Sequence, residues 1–323
     1  MSTRRPYLLL LTTVLALLTS TAGAQSAAET LVLFDPTIPE NPESIVFDRR
    51  DNAYISLALN GQIVRYAPDG TVTTVADLPI GAPCPPQPTV ALGLALDRRD
   101  RLYVAISACD PANQGLWRVD RRTGALTMIA QAPSATVLNG IDVHRRWIYA
   151  ADTFDGLIWR APIDGSGPLE IWADDPLLKR PPGSPFPGPN GLKFFRGEIY
   201  VANSSTGDIV AFPIEPGGVA GTARVAATLP APQGCDEFTF DVRGSIYCTT
   251  DPFNTVIRLD RDGTFETLLD ASDLLDGPTS VAFGRRGKNR KNLYITNAAF
   301  PQFTTTFRPS LMRIRLDVPG ARP

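Results

Sequence analysis

Six tyrosines recur along this chain, at Tyr54, Tyr103, Tyr149, Tyr200, Tyr247 and Tyr294, with spacings of 49, 46, 51, 47 and 47 residues. Each sits inside a short β-type run. An apolar run precedes each tyrosine (SIVFD, GLALD, GIDVH, GLKFF, EFTFD, SVAFG), and a third follows it (QIVRYAPDG, GLWRVD, GLIWRAPIDG, DIVAFPI, TVIRLDRDG, LMRIRLD). A fourth often comes next, as in TVTTVADL, ALTMIAQA and FETLLD. No sustained 3.6-residue period lies between them, although residues 270–275 could form one helical turn. Four short strands in each repeat of about 47 residues is the signature of a propeller blade, and so regular a spacing argues against a β-sandwich. The expected fold is therefore all-β: a six-bladed β-propeller of four-stranded antiparallel blades, forming one domain over residues 25–323. The sixth repeat ends near Leu316 without a fourth strand. The segment TLVLF, residues 30–34, precedes the first repeat and lacks partners, so it is expected to complete the last blade and protect its edge.

Residues 1–24 read as a secretory signal peptide. Arg4 and Arg5 lead, Leu8 to Leu18 form an apolar core, and Ala22-Gly23-Ala24 offers small residues for cleavage. The apolar run is shorter than the ~20 residues a spanning helix needs. Without the signal, 29 basic residues (31 minus Arg4 and Arg5) face 33 acidic ones, a net charge of −4 (29 − 33). That balance gives no support for nucleic-acid binding. A secreted or periplasmic chain is expected, without membrane contact once the signal is gone, acting as a monomer on a small molecule. Export permits disulfides among Cys84, Cys109, Cys235 and Cys248. A bridge between Cys84 and Cys109 is expected, because the hairpin of the second repeat sets Cys109 opposite residue 88 and PCPPQP can bring Cys84 beside it. Cys248 should face about residue 239, which leaves Cys235 several residues away and that pairing open.

In a propeller, whatever immediately precedes the first strand of each blade points into one mouth of the central channel. That position holds Glu43, Leu92, Asn139, Asn190, Asp236 and Thr279. Any one of these alone would read as a strand-start cap or a solvated carboxylate. Two carboxylates and two carboxamides at one register, however, repel and crowd unless a cation sits among them. Oxygen donors without His or Cys suit a hard ion, and Ca2+, with its tolerance of irregular geometry, fits better than Mg2+, with another divalent cation left open. The metal ligands are expected to be Glu43, Asn139, Asn190 and Asp236.

On these residues, in the phrases PES, LNGI, PNGL and CDEF, and on the six repeats, the chain resembles the senescence marker protein/gluconolactonase (regucalcin-like) family. It is also similar to squid-type diisopropylfluorophosphatases and, more distantly, to paraoxonases and strictosidine synthase-like proteins. The resemblance spans residues 30–317. It implies a calcium-dependent hydrolase of lactones or phosphotriesters, in which Asp236 is a metal ligand and also the catalytic general base or nucleophile. Leu92 departs from a polar ring, and no arginine matches the one that sugar-lactone enzymes use on substrate hydroxyls, so gluconolactone is not the expected substrate. Two other classes stay open: a non-hydrolytic propeller enzyme, strictosidine synthase-like or pericyclic, and a binding module that calcium merely stabilises.

No Ser-His-Asp triad can be assembled, since His144 lies toward the far end of its strand and no G-x-S-x-G occurs. Two long connections, residues 174–189 and 297–310, reach the ring's face and carry Phe186, Phe300, Phe303 and Phe307, the material for an apolar lid. Asp152, Asn203 and Asn297 read as turn formers at the ends of second strands. Asn203-Ser204-Ser205 also reads as a glycosylation sequon.

Overall fold

The computed structural model describes residues 27–86, 88–134 and 136–322, so the signal segment expected over residues 1–24 lies outside the described residues. Twenty-four strands, β1–β24 in chain order, form six four-stranded antiparallel sheets. Five sheets take consecutive strands, the first being β2 (Pro42–Phe47), β3 (Ala53–Leu57), β4 (Gln62–Tyr66) and β5 (Val72–Asp77). The sixth has the order β1-β24-β23-β22, with β23 spanning Asn292–Asn297 and β22 spanning Pro278–Phe283. The sheets are the expected blades, and the closing strand is the expected one. β1 (Glu29–Leu33) pairs with β24 (Ser310–Arg315), setting Glu29 opposite Arg313 and Leu33 opposite Ser310.

The repeat has a physical cause. Apolar clusters fill the wedges between neighbouring blades, and each blade tyrosine packs in one of them. Aspartates six residues upstream complete the unit in three blades. Asp48, Asp97 and Asp241 each accept backbone N–H groups across the first hairpin turn with one oxygen, and the hydroxyls of Tyr54, Tyr103 and Tyr247 with the other. Burial pushes the Tyr103 phenol up to about 12, so it stays a donor.

The inner strands are β2, β6 (Val90–Leu96), β10 (Leu138–His144), β14 (Pro189–Phe195), β18 (Phe238–Phe240) and β22 (Pro278–Phe283), and they abut in that order around the axis. Their backbones touch near the mouth: Gly191 N–H donates to Asp236 O at 2.8 Å and Glu237 N–H to Thr279 O at 3.1 Å. A Cβ on Gly93 would lie 2.2 Å from Asn139 O, one on Gly140 2.4 Å from Asn190 O, and one on Gly191 2.6 Å from Asp236 O. The Asn-Gly pairs of LNGI and PNGL are therefore not hairpin turns. Glycine lets adjacent inner strands approach.

Gly191→Ala should accordingly cost about 1–3 kcal/mol, because the obstructing atoms are backbone. Urea unfolding measures the loss; an unchanged midpoint would mean that the inner strands can part without cost.

Candidate metal centre at the channel mouth

The ring residues do not precede their strands, as the sequence suggested, except in blade five. Glu43, Asn139, Asn190 and Thr279 are second in β2, β10, β14 and β22, and Leu92 is third in β6. At each of these the pairing with the second strand skips, between Pro42 and Ile45, Ala91 and Leu94, Leu138 and Ile141, Pro189 and Leu192, and Pro278 and Ser280. One extra residue in the inner strand is a β-bulge, which re-aims a side chain that strict alternation would send into a blade face. In blade five Asp236 stands before β18, bracketed by its own N–H to Thr249 O at 2.8 Å and by Thr249 N–H to Glu237 O at 3.1 Å.

All four proposed ligands are buried, with Glu43 at 6%, Asn139 at 8%, Asn190 at 4% and Asp236 at 8% exposure. Three of them hold an oxygen with no hydrogen-bond partner: Glu43 Oε2, Asn190 Oδ1 and Asp236 Oδ1. Buried polar atoms are rarely left so. Asn190 spends its amide donor on Ser204 Oγ at 3.2 Å, and Ser204 Oγ donates to Cys235 O at 2.6 Å, which leaves the carbonyl oxygen of Asn190 free. Thr279 is spent on backbone, donating to Pro42 O at 3.0 Å. Leu92 joins Val90 and Val137 in a small apolar cluster. The ring is thus polar on one side and apolar on the other.

Electrostatics mark the same atoms. Burial, then the charges of Glu237 and Asp251, push the Glu43 carboxyl well above its ordinary range. Burial, then Glu43, Asp251 and Glu237, do the same to Asp236, opposed by the Asn190 amide. Among the described residues no three His, Cys, Asp or Glu side chains are grouped to hold a metal, so the two carboxylates need the carboxamide oxygens to complete a donor set. That set is all oxygen, carries two charges and has three vacant acceptors. It fits a divalent cation of the calcium type.

Below the ring lies Glu237, which the sequence reading did not single out. Its carboxylate is buried, accepts hydroxyls from Ser44 (3.4 and 3.3 Å) and Ser280, and pairs with Lys193 Nζ at 3.7 Å. Lys193 also lines a cavity of about 140 Å3 at the opposite end of the channel, with Asp142, Phe283 and Arg285; no ring residue lines that cavity. His144 is at that end too, stacked on Phe194 with centroids 3.7 Å apart, its pKa lowered by burial and Arg145. It is not part of the mouth.

Two bridges brace the ring's face. Cys84–Cys109 forms as expected, with Cα atoms 6.1 Å apart. Cys235–Cys248 forms as well, at 5.8 Å. The strand register was close, since Phe238 faces Cys248, but β18 is only three residues long and the chain before it folds back. The second bridge clamps the residue next to Asp236. Of the rim phenylalanines, Phe303 (49%) and Phe307 (43%) are exposed, while Phe186 packs against Phe253 at 5.9 Å. Phe154, exposed at 45%, extends the rim. Asp152, Asn203 and Asn297 are buried turn and strand-end residues. Asn203 donates its amide to Leu177 O at 3.0 Å, so the sequon asparagine is enclosed.

With this geometry in place, the chain can be compared with known proteins. A family model described as SMP-30/Gluconolactonase/LRE-like region matches residues 182–299. That region contains Asn190 and Asp236; Glu43 and Asn139 lie before it. No curated protein sequence matches the chain. Among solved structures, regucalcin of Agrobacterium tumefaciens, described as a calcium-binding protein, is similar at 18% identity over 92% of this chain and 96% of its own, with a TM-score of 0.66. A gluconolactonase of Xanthomonas campestris is similar at 19% over 90% and 89%, TM-score 0.64. A luciferin-regenerating enzyme is similar at 14% over 87% and 94%, TM-score 0.66. At these identities the likeness is one of fold.

Raised carboxyl pKa values give a sign to stability. A folded state that binds protons more tightly than the unfolded chain loses stability as pH rises from the ordinary carboxylate range toward neutrality. In chelator, the melting temperature should therefore fall from pH 5 to pH 8, and added calcium should restore more at pH 8 than at pH 5. Calorimetric melts at both pH values read this; a calcium effect larger at pH 5 would contradict the ring.

Proposed function

We propose that the chain is a divalent-cation-dependent hydrolase, with calcium the fitting ion, that opens a lactone or a related ester or phosphotriester at the channel mouth. The observation that carries this reading is the set of three partnerless oxygens on Glu43, Asn190 and Asp236 at one buried ring. The gluconolactonase and calcium-binding neighbours support it, as does the SMP-30/Gluconolactonase/LRE-like match. Glu43, Asn139, Asn190 and Asp236 would hold the ion. A bound divalent cation would supply Lewis-acid polarisation of the substrate's carbonyl or phosphoryl oxygen.

Asp236 takes the catalytic role, because a bound cation would make it an anion at the ring's edge and its Oδ1 accepts no hydrogen bond from the protein. Its carboxylate accepts the proton of an attacking water, or attacks directly. Cys235–Cys248 and the Asn190–Ser204 link restrict where that carboxylate can go, which is the positioning that such a step requires. Phe154, Phe303 and Phe307 form an exposed apolar rim that favours a substrate with an apolar group over a sugar. The chain would work as an exported monomer on a small molecule. The two disulfides are those of a chain folded in an oxidising compartment, and no helix among the described residues is long and apolar enough to cross a membrane.

A screen of lactones, aryl esters and phosphotriesters with and without chelator tests the reading, with metal-dependent turnover expected. In the same assay at saturating calcium, Asp236→Asn should fall roughly 10²–10⁴-fold below Glu43→Gln, which removes the same charge from the ring without removing a base. Equal losses would reduce Asp236 to a ligand.

A further inference from the structure

The mouth has a second circle of residues, one step beyond the ends of the second strands: Ala58, Ala108, Thr153, Ser204, Asp251 and Ala298. Where these side chains are polar they cross to the next blade's ring segment. Thr153 Oγ1 donates to Pro189 O at 3.1 Å and Ser204 Oγ to Cys235 O at 2.6 Å. Asp251 is the one charged member. It follows β19 (Ile246–Thr250), and its carboxyl lies in the crevice between blades five and six, where a Cβ on Gly277 would be 3.2 Å from its Oδ1. That oxygen is buried and has no hydrogen-bond partner, although the residue as a whole keeps an opening to solvent. Asp251 acts electrostatically on both Glu43 and Asp236. Phe253, two residues on, belongs to the apolar rim.

We propose that Asp251 is a second catalytic carboxyl, the acid that protonates the leaving oxygen of the ester or lactone bound over the ring. This rests on the hydrolytic reading above. The step balances as follows. A water oxygen bonds to the carbonyl carbon as its proton passes to Asp236; the adduct then collapses, the carbon–oxygen bond to the leaving group breaks, and the Asp251 carboxyl proton moves to the departing alkoxide. An ester gives one acid and one alcohol, a lactone a single hydroxy acid, and solvent returns a proton from Asp236 to Asp251.

An acid for an alkoxide must hold its proton near neutrality. Burial and the charge of Asp276 raise the Asp251 carboxyl to about 7. The charged groups facing it are Asp276, from the segment before β22, and Glu43 and Asp236 across the mouth. Asp276 is itself held by Thr306 Oγ1 at 2.6 Å and Arg308 N–H at 2.8 Å, so it cannot swing away.

The test compares Asp251→Asn with wild type on two substrate series, alkyl esters or lactones and 4-nitrophenyl esters, at saturating calcium. An alkoxide needs a proton to leave and a nitrophenolate hardly does. The loss in kcat on the alkyl series should exceed that on the nitrophenyl series by tenfold or more, and the alkaline limb of the wild-type pH profile near 7 should disappear. A melt in chelator checks the carboxyl itself: the variant should gain melting temperature over wild type at pH 8 and not at pH 5. Equal losses on both series, with the alkaline limb retained, overturn the role of Asp251 while leaving the hydrolase reading intact. A wild type without metal-dependent hydrolysis of either series overturns both. If Asp251→Asn does not fold, Asp251→Ser serves, since it too removes the carboxyl, and the same differential between the two series decides.

Discussion

Backbone contact at the propeller axis is the constraint from which the rest follows. Inner strands that hydrogen-bond to one another, as at Gly191 and Asp236, leave no room for a side chain pointing sideways at that level. Glycine at 93, 140 and 191 removes the obstruction, and the bulge beside each rotates its neighbour toward the axis. Asn139-Gly140 and Asn190-Gly191 are thus two halves of one device. Glycine lets the blades close, and asparagine is thereby aimed into the space they enclose. Where the chain has no glycine, Ser44, Glu237 and Ser280 occupy the same level, and their side chains bond to one another across the channel instead.

Closing the ring concentrates charge. Glu43, Asp236 and Glu237 would be anions within one narrow channel, and among the described residues Lys193 pairs with Glu237 from below. The two upper carboxyls are left with burial and mutual repulsion, both of which favour protonation. Such an arrangement is costly unless it is used. Proteins retain uncompensated buried carboxyls mainly where a ligand completes them, which is why their orphaned oxygens say more about function than the shape of any cavity does. The cavity at the opposite end, walled by Phe47, Phe195 and Phe240, contains none of them.

The fold was legible because it is built from repetition. Tyr54 and its five counterparts recur since each blade needs one large ring in the wedge against its neighbour, and that need is the same six times over. The ring was legible for the same reason: Glu43, Asn139, Asn190 and Asp236 each lie 10 or 11 residues before those tyrosines. What the repeat could not carry was anything used once. Asp251 has alanines at three of its five counterpart positions, so its offset offered no pattern to detect. Cys235–Cys248 stayed open because Cys235 lies several residues from the position that faces Cys248, a gap that the turn of the chain before Phe238 closes. The sequon at Asn203 misled because a tripeptide says nothing of burial, and that amide is consumed by the loop carbonyls of Leu177 and Lys179.

Blade five concentrates these single-use features, and its inner strand, Phe238–Phe240, is the shortest of the six. A short inner strand frees the residues before it from the ladder, so that Asp236 and Glu237 can take separate levels of the channel. A segment outside the regular ladder, held to its own blade by backbone bonds at Thr249, needs a further tie. The disulfide answers that need by tying Cys235 to the second strand of the same blade. The same hairpin delivers Asp251 at its other end, beyond Thr250. One cross-linked unit therefore carries both proposed groups, the base on the ring and the acid on the circle outside it, with opposite tasks. Their difference in environment follows from place: Asp236 is enclosed with Glu43 where the proposed cation would sit, whereas Asp251 lies on the outer circle beside Asp276, whose charge holds its proton.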